Sequence, residues 1–379
     1  MTATARLSPL HDEHVALGAS LTEFGGWEMP LRYGSDIAEH TAVRTAAGLF
    51  DLSHMGEIMV TGPEAASALD HALVGWLSQV GVGRARYTMI AQEDGAVIDD
   101  LVVYRLADEE FLVVANAGNT DVVHAALVER CSSFDATVRL TSVETALVAV
   151  QGPLAESILV SLVSSDVDAV TGLRYYAIVP AVVAGIDTLV ARTGYTGEDG
   201  FELFVPAERA RELWTALLAA GVPAGLVPAG LSARDSLRLE AGMPLYGHEL
   251  DLTTTPFEAG LGRVVRLDKV TPDGSVVEFV GRAALASRKG SPPARVLVGL
   301  SVLGRRPARA GHSVIMDASK PDVVIGRVTS GAPSPTLGHP IALAYVTPEV
   351  SAVGTRLAVD VRGRAEEVEV IALPFYRRD

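Results

Sequence analysis

One short stretch, Ala96-Val97-Ile98-Asp99-Asp100-Leu101-Val102-Val103-Tyr104, sets the tightest limits on how this chain can fold. It is rich in β-branched and apolar residues and has no helical period, so it predicts a strand. Side chains alternate along a strand. That puts Ile98, Asp100, Val102 and Tyr104 on one face and Val97, Asp99, Leu101 and Val103 on the other. Each face is apolar apart from one aspartate. A strand apolar on both faces is covered on both, and a carboxylate there has to be paired, hydrogen-bonded or shifted in pKa. Such a local breach of pattern marks a candidate for chemistry. The plain alternative is that the two aspartates end a short strand at a turn.

Around this stretch the chain predicts mixed elements. Helices are expected over residues 5–20, over 37–47 with Gly48 as the C′ residue, and from Gly62-Pro63 to about Leu77. Strands are expected at 87–91 and 96–106, joined by the turn Gln92-Glu93-Asp94-Gly95, and then at 111–116. Further helices are expected at 120–130, 207–220 and 233–241, and further strands at 145–150, 186–193 and 200–205. Short, hairpin-compatible connections favour antiparallel α+β sheets over a doubly wound parallel sheet. From about residue 294 short β segments punctuated by Gly and Pro predict a separate all-β barrel or sandwich, after a linker near 282–293.

Composition narrows the function. With 31 basic and 46 acidic side chains the net charge is -15, which argues against nucleic acid or an anionic membrane as the main partner. Cys131 is the only cysteine, so an internal disulfide, a cysteine zinc site and a CxxC pair are excluded, which fits a reducing compartment. No window reaches the roughly 18 uninterrupted apolar residues of a membrane helix, and no signal-peptide layout precedes His11, so a cytoplasmic setting is expected. His11 and His14 resemble half a metal site but lie in a polar opening segment, and no metal is expected.

Three further features bear on chemistry. Arg234 falls in the first turn of a predicted helix that Ser232 can cap, where a cation opposes the helix dipole. It points either at an anion or polar ligand or at a neighbouring carboxylate such as Asp235. Glu202 shares a strand face with Phe204, and a carboxylate beside an apolar wall suits a ligand with paired N–H donors, such as a pterin or guanine edge. An ordinary half-exposed sheet is the alternative. The loop from Gly194 to Gly200 joins two strands and is not GxGxxG, which speaks against a nucleotide fingerprint. Arg282, Arg288, Lys289, Arg295, Arg305, Arg306 and Arg309 form a run without acidic residues that suits either an acidic partner or a solvated linker.

Taken in order, the strings FGGWEMPLRYGS, GLFDLSHMGEI, VIDDLVVY, VVANAGN, VAVQGP, RTGYTGEDGFEL, LSARDSLRLEAGMPLYGHELD, TTPFEAGL and GRVTSGAPSPTLG span most of the chain. Together they resemble the aminomethyltransferase (T-protein) family of the glycine cleavage system. The resemblance implies a three-domain cloverleaf: interleaved α+β folate-binding units around a central cavity over residues 1–281, with an inserted unit at about 51–140. A C-terminal β-barrel at 294–379 completes it. It also implies transfer of an aminomethyl group from the lipoyl arm of a lipoylated H-protein to tetrahydrofolate, releasing ammonia and forming 5,10-methylenetetrahydrofolate. By position, Asp100 corresponds to the catalytic carboxylate and Glu202 to the pterin anchor. Arg234, Met55, Tyr87, Val102, Asn116, Tyr195 and Tyr376 correspond to ligand-contacting positions. Two rivals share the architecture. A folate-binding protein of the iron–sulfur or tRNA-modification type would carry a KGCYxGQE-type segment, absent here, and the folate half of a sarcosine or dimethylglycine demethylase would act with a flavin partner. Arg263 stands where many relatives have tryptophan.

Overall fold

The computed structural model describes residues 5–271, 273–317, 319 and 322–378. Two sheets make up the larger part. A five-stranded antiparallel sheet runs in the spatial order Arg84–Ala91, Val97–Ala107, Glu110–Ala115, Gly56–Thr61, Thr137–Leu140. Its strands all fall between the strand Ala47–Asp51 and the strand Thr145–Gln151, which pair with each other in a seven-stranded sheet. That second sheet is antiparallel apart from Leu226–Pro228, which lies parallel to Ala47–Asp51. The expectation of antiparallel α+β sheets holds.

Alternation assigns each strand's two faces to different cores. In Glu110–Ala115, Phe111, Val113 and Ala115 pack under the helices Ala65–Ala72 and Thr120–Cys131, with Ala68, Leu69, Val123 and Leu127. In Thr145–Gln151, Ala146, Val148 and Val150 pack with Leu213, Trp214 and Leu217 of the helix Ala210–Gly221. The opposite faces meet each other. Leu112 and Val114 from one sheet join Leu147, Ala149 and Phe204 from the other, with Leu237 of the helix Leu231–Glu240. Each fully buried Leu or Phe contributes roughly 1.5–3 kcal/mol, so this inter-sheet layer is a substantial part of what holds the two sheets together.

The third body is a closed six-stranded barrel, ordered Val296–Val302, Pro340–Val346, Val324–Pro333, Ser313–Ile315, Arg356–Asp360, Ala365–Ile371. Val298, Leu300, Val314, Val328, Ala344, Val359 and Val368 fill it. Leu239 at the end of the helix Leu231–Glu240 packs on Ala332, Ile341 and Leu343 of the barrel.

Several local expectations fail for tertiary reasons. Residues 5–20 do not form one helix. Arg6–Leu7 pairs with Trp27–Arg32 in a small sheet, and only His11–Ala16 is helical. The next helix spans Asp36–Thr45, and Gly48 lies inside the strand Ala47–Asp51 instead of acting as a C′ residue. A Cβ there would stand 2.4 Å from Val43 Cγ2, so glycine is required by close packing. The helix after Gly62-Pro63 stops at Ala72, short of Leu77. Part of the expected linker is the helix Arg282–Arg288. The Gln92–Gly95 turn is as expected, with Gly95 at φ +85° and the Asp94 carboxylate accepting from the Ala96 N–H at 3.0 Å.

Candidate functional site

A cavity of about 840 Å³ opens between the two sheets, closed by the helix Leu231–Glu240 and the segment after it. Its size is that of a ligand pocket. Ile98, Asp100 and Val102 of the strand Val97–Ala107 are partly buried while Val97, Asp99, Leu101 and Val103 are fully buried, so the alternation is as the sequence predicts. Met55, Tyr87, Asp100, Val102, Asn116, Tyr195, Glu202 and Arg234 all line the cavity.

The geometry around Asp100 follows from where the neighbouring strand stops. Glu110–Ala115 pairs with Val97–Ala107 only as far as Val102 opposite Val114. Beyond that point two side-chain amides serve the free strand edge. Asn116 Nδ2 donates to the Asp100 carbonyl at 3.2 Å and Asn119 Nδ2 to the Ile98 carbonyl at 3.2 Å. Asn116 Nδ2 also reaches Asp100 Oδ1 at 2.8 Å, and the Tyr87 hydroxyl donates to Asp100 Oδ2 at 2.9 Å. Burial raises the Asp100 pKa above the usual aspartate range, and the Tyr87 and Asn116 donors oppose that rise. Asp100 lies deep within the molecule yet opens onto the cavity, and its spare lone pairs remain for a ligand.

Across the cavity, the strand Gly200–Pro206 turns Phe201, Leu203 and Val205 into the core and leaves Glu202 on the cavity side. Glu202 Oε2 accepts from the Thr193 hydroxyl and, at 3.2 Å, from the Tyr104 hydroxyl, while among the described residues no donor reaches Oε1. A carboxylate held this way presents one free oxygen edge to a paired N–H donor.

The helix bearing Arg234 is Leu231–Glu240, capped by Gly230 and not by Ser232. Asp235 pairs with Arg238 at 2.7 Å, which removes it as a partner for Arg234. The Arg234 guanidinium lies over the Tyr195 ring at 4.7 Å and makes no hydrogen bond or ion pair among the described residues. Burial weakens its hold on the proton, while the Glu202 carboxylate across the cavity works the other way, so a cation without an ion pair among the described residues faces the cavity.

Sequence reasoning missed His54, a cavity residue 2% exposed whose buried Nδ1 has no hydrogen-bond partner among the described residues. Burial first and the Arg234 charge second bring it down to about 4, so it is neutral at ordinary pH. It sits in a turn without periodicity, and no pattern signal marks it. Thr193 and Tyr104, the two donors on Glu202, were not singled out as site residues either, although Tyr104 shares the predicted face of Asp100.

Tyr376 is not among the cavity's lining residues. It stacks under Arg44 at 4.0 Å, beside a smaller pocket that includes Met243, Arg377 and Arg378. Arg263 is exposed, and Leu261 lines the cavity nearby. Much of the basic run is engaged locally. Arg282 pairs with Glu278, Arg295 with Glu258 and Arg306 with Glu366. His14 is buried against Asp51 at 2.8 Å, and His11 lies 3.5 Å from Glu28. Among the described residues no group of three or more His, Cys, Asp or Glu is placed to hold a metal, and no helix is long and apolar enough to cross a membrane.

Comparison with known proteins agrees with this architecture. The GCVT N-terminal domain family matches residues 10–269, and the glycine cleavage T-protein C-terminal barrel domain family matches residues 295–377. The aminomethyltransferase of Streptomyces coelicolor is 59% identical over 98% of both chains, and that of Saccharopolyspora erythraea is 57% identical over the whole of both. The crystal structure of the glycine cleavage system aminomethyltransferase T from Bartonella henselae superposes with a TM-score of 0.87, at 35% identity over 98% of each chain. This chain belongs to the glycine cleavage T-protein family of aminomethyltransferases.

Proposed function

We propose that this chain transfers the aminomethyl carbon from a lipoylated H-protein to tetrahydrofolate, releasing ammonia and forming 5,10-methylenetetrahydrofolate. The observation that carries this reading is a pair of carboxylates, Asp100 and Glu202, held on facing walls of one cavity with unequal hydrogen bonding. The site's polar groups suit a folate: the free Oε1 edge of Glu202 matches the amidine-like donor pair of a pterin, and the apolar faces of Met55, Val102 and Leu261 match its rings. Tetrahydrofolate, when bound, supplies the nitrogen nucleophiles that take up the carbon. Glu202 anchors the pterin edge. Asp100, fixed by Tyr87 and Asn116, orients the reacting nitrogens and stabilises the positive charge that develops on them. Arg234, without an ion pair among the described residues, holds a polar or anionic group of the ligand, and Tyr195 beneath it fixes its plane.

The test is formation of ammonia and methylenetetrahydrofolate from aminomethylated H-protein and tetrahydrofolate. In Asp100→Asn the shape is kept and the charge lost, so turnover falls by roughly 100-fold or more while folding and folate binding persist. Near wild-type turnover in Asp100→Asn rules out the assigned role.

A further inference from the structure

Asp99 does not line the cavity, and the reaction as described gives it nothing to do. Yet it is completely buried and its carboxylate accepts three N–H groups. The Asn116 backbone N–H reaches Oδ2 at 2.9 Å, and Asn116 Nδ2 and Asn119 Nδ2 each reach Oδ1 at 2.8 Å. Asn116 is therefore gripped at two points by Asp99, and the second hydrogen of its amide is shared between Asp100 Oδ1 at 2.8 Å and the Asp100 carbonyl at 3.2 Å. An amide turned the other way would aim its oxygen at two carboxylates. Asp99 thus decides which end of Asn116 faces Asp100.

The same amide is an electrostatic bridge. Adjacent residues on opposite strand faces normally do not share a partner, but the free strand edge lets Asn116 reach both. The groups facing Asp99 are Asp100 on its own strand, the Asn116 and Asn119 amides beyond Ala115, and the Tyr246 phenol from the segment after the helix Leu231–Glu240. Ile90 lies opposite on the neighbouring strand, and Tyr87 stands behind Asp100. No cationic side chain among the described residues pairs with Asp99. Burial, and then the Asp100 charge, push Asp99 up to about 7, while the Asn119 and Asn116 donors pull it down.

We propose that Asp99 is a positioning residue for Asp100, gripping the Asn116 amide at two points and so orienting the donor that binds the Asp100 carboxylate. The inference rests on Asp100 being the catalytic carboxylate. It predicts that the charge of Asp99 modulates turnover without any contact between Asp99 and substrate.

The experiment compares kcat and KM for tetrahydrofolate across neutral pH in the wild type, Asp99→Asn, Asn119→Ala and Asp100→Asn. The wild-type kcat/KM profile should inflect near 7, toward which burial and the Asp100 charge push Asp99 in the free enzyme. Asp99→Asn should lose that inflection, with kcat about tenfold lower or less still and KM little changed. Asn119→Ala removes a donor that favours the ionised form, so its inflection should move to higher pH. This second variant keeps the test alive if Asp99→Asn does not fold. An inflection that survives in Asp99→Asn, does not move in Asn119→Ala, or is missing from the wild type overturns the proposal. Asp100→Asn separates the two claims. If it retains turnover, the catalytic reading fails; if it loses turnover while Asp99→Asn keeps the inflection, only the role of Asp99 fails.

Discussion

Glu202 is the residue on which ligand affinity should depend most directly. Its free Oε1 is poised for a charge-assisted contact, and hydrogen bonds to charged groups are worth about 1.5–3 kcal/mol. Glu202→Ala should therefore raise the tetrahydrofolate Kd roughly 10- to 150-fold, read by fluorescence or calorimetric titration, with H-protein affinity unchanged. An unchanged folate Kd would remove the anchor. The faces of Asp100 and Glu202 were legible because a period of two fixes them once a strand is recognised. Arg234 was legible as a cation set against a helix dipole, although the acid it might have paired with, Asp235, belongs to Arg238. His54 was not legible, since a single polar residue in an aperiodic turn looks like solvent-facing loop until three segments close around it. Which of the two adjacent aspartates opens onto the cavity also lay beyond alternation alone.

At the scale of elements, the strand Gly56–Thr61 carries an unusual cost. Glu57 is fully buried between core positions, with no cation among the described residues paired to it and only the Ser142 hydroxyl nearby to favour its ionised form. Burial holds its pKa well above the ordinary glutamate value. Between those two values the folded state keeps a proton that the unfolded chain has released, so stability falls as pH rises through that window. Glu57→Gln, neutral at every pH, should unfold at a higher denaturant concentration than the wild type at pH 8, and the advantage should vanish in acid. A wild-type-like pH dependence in the variant would contradict this. Long apolar strands such as Val97–Ala107 and Thr145–Gln151, the second buried on both faces, were readable from sequence. The two-residue strand Arg6–Leu7 was not, because its pairing to Trp27–Arg32 is tertiary and leaves no local period. Gly48 misled for a related reason: glycine after a helix suggests a C′ residue, whereas here contact with Val43 demands it.

For the molecule as a whole, one cluster joins its parts. Arg44 on the helix Asp36–Thr45 pairs with Glu240 at 2.8 Å and Glu198 at 2.9 Å. Glu240 also takes His40, Ser334 and Thr336, the last two from the barrel. Burial works against the Glu240 charge, but these donors win and hold it down to about 2. The stabilisation is present above the ordinary glutamate value and is lost as pH falls through about 2. Arg44→Met removes the guanidinium shared by the buried carboxylates Glu198 and Glu240, leaving Glu240 to His40, Ser334 and Thr336, and should cost up to about 3–5 kcal/mol, seen as earlier denaturant unfolding and faster proteolysis. Equal stability would show that the remaining contacts to the barrel, among them Leu239 on Ile341 and Leu343, Arg238 to Ser330 and Tyr345 to Glu249, hold it without this cluster. The cavity has a consequence of the same reach. Its walls come from residues as distant in sequence as Thr22 and Leu261, drawn from both sheets and the helix between them. A molecule seated there staples those segments to one another, and at 100 times its Kd adds about 2.7 kcal/mol to the resistance to unfolding. If the cavity takes the folate acceptor as proposed, adding tetrahydrofolate should slow unfolding and proteolysis of the chain, and no protection at saturating ligand would count against that seat.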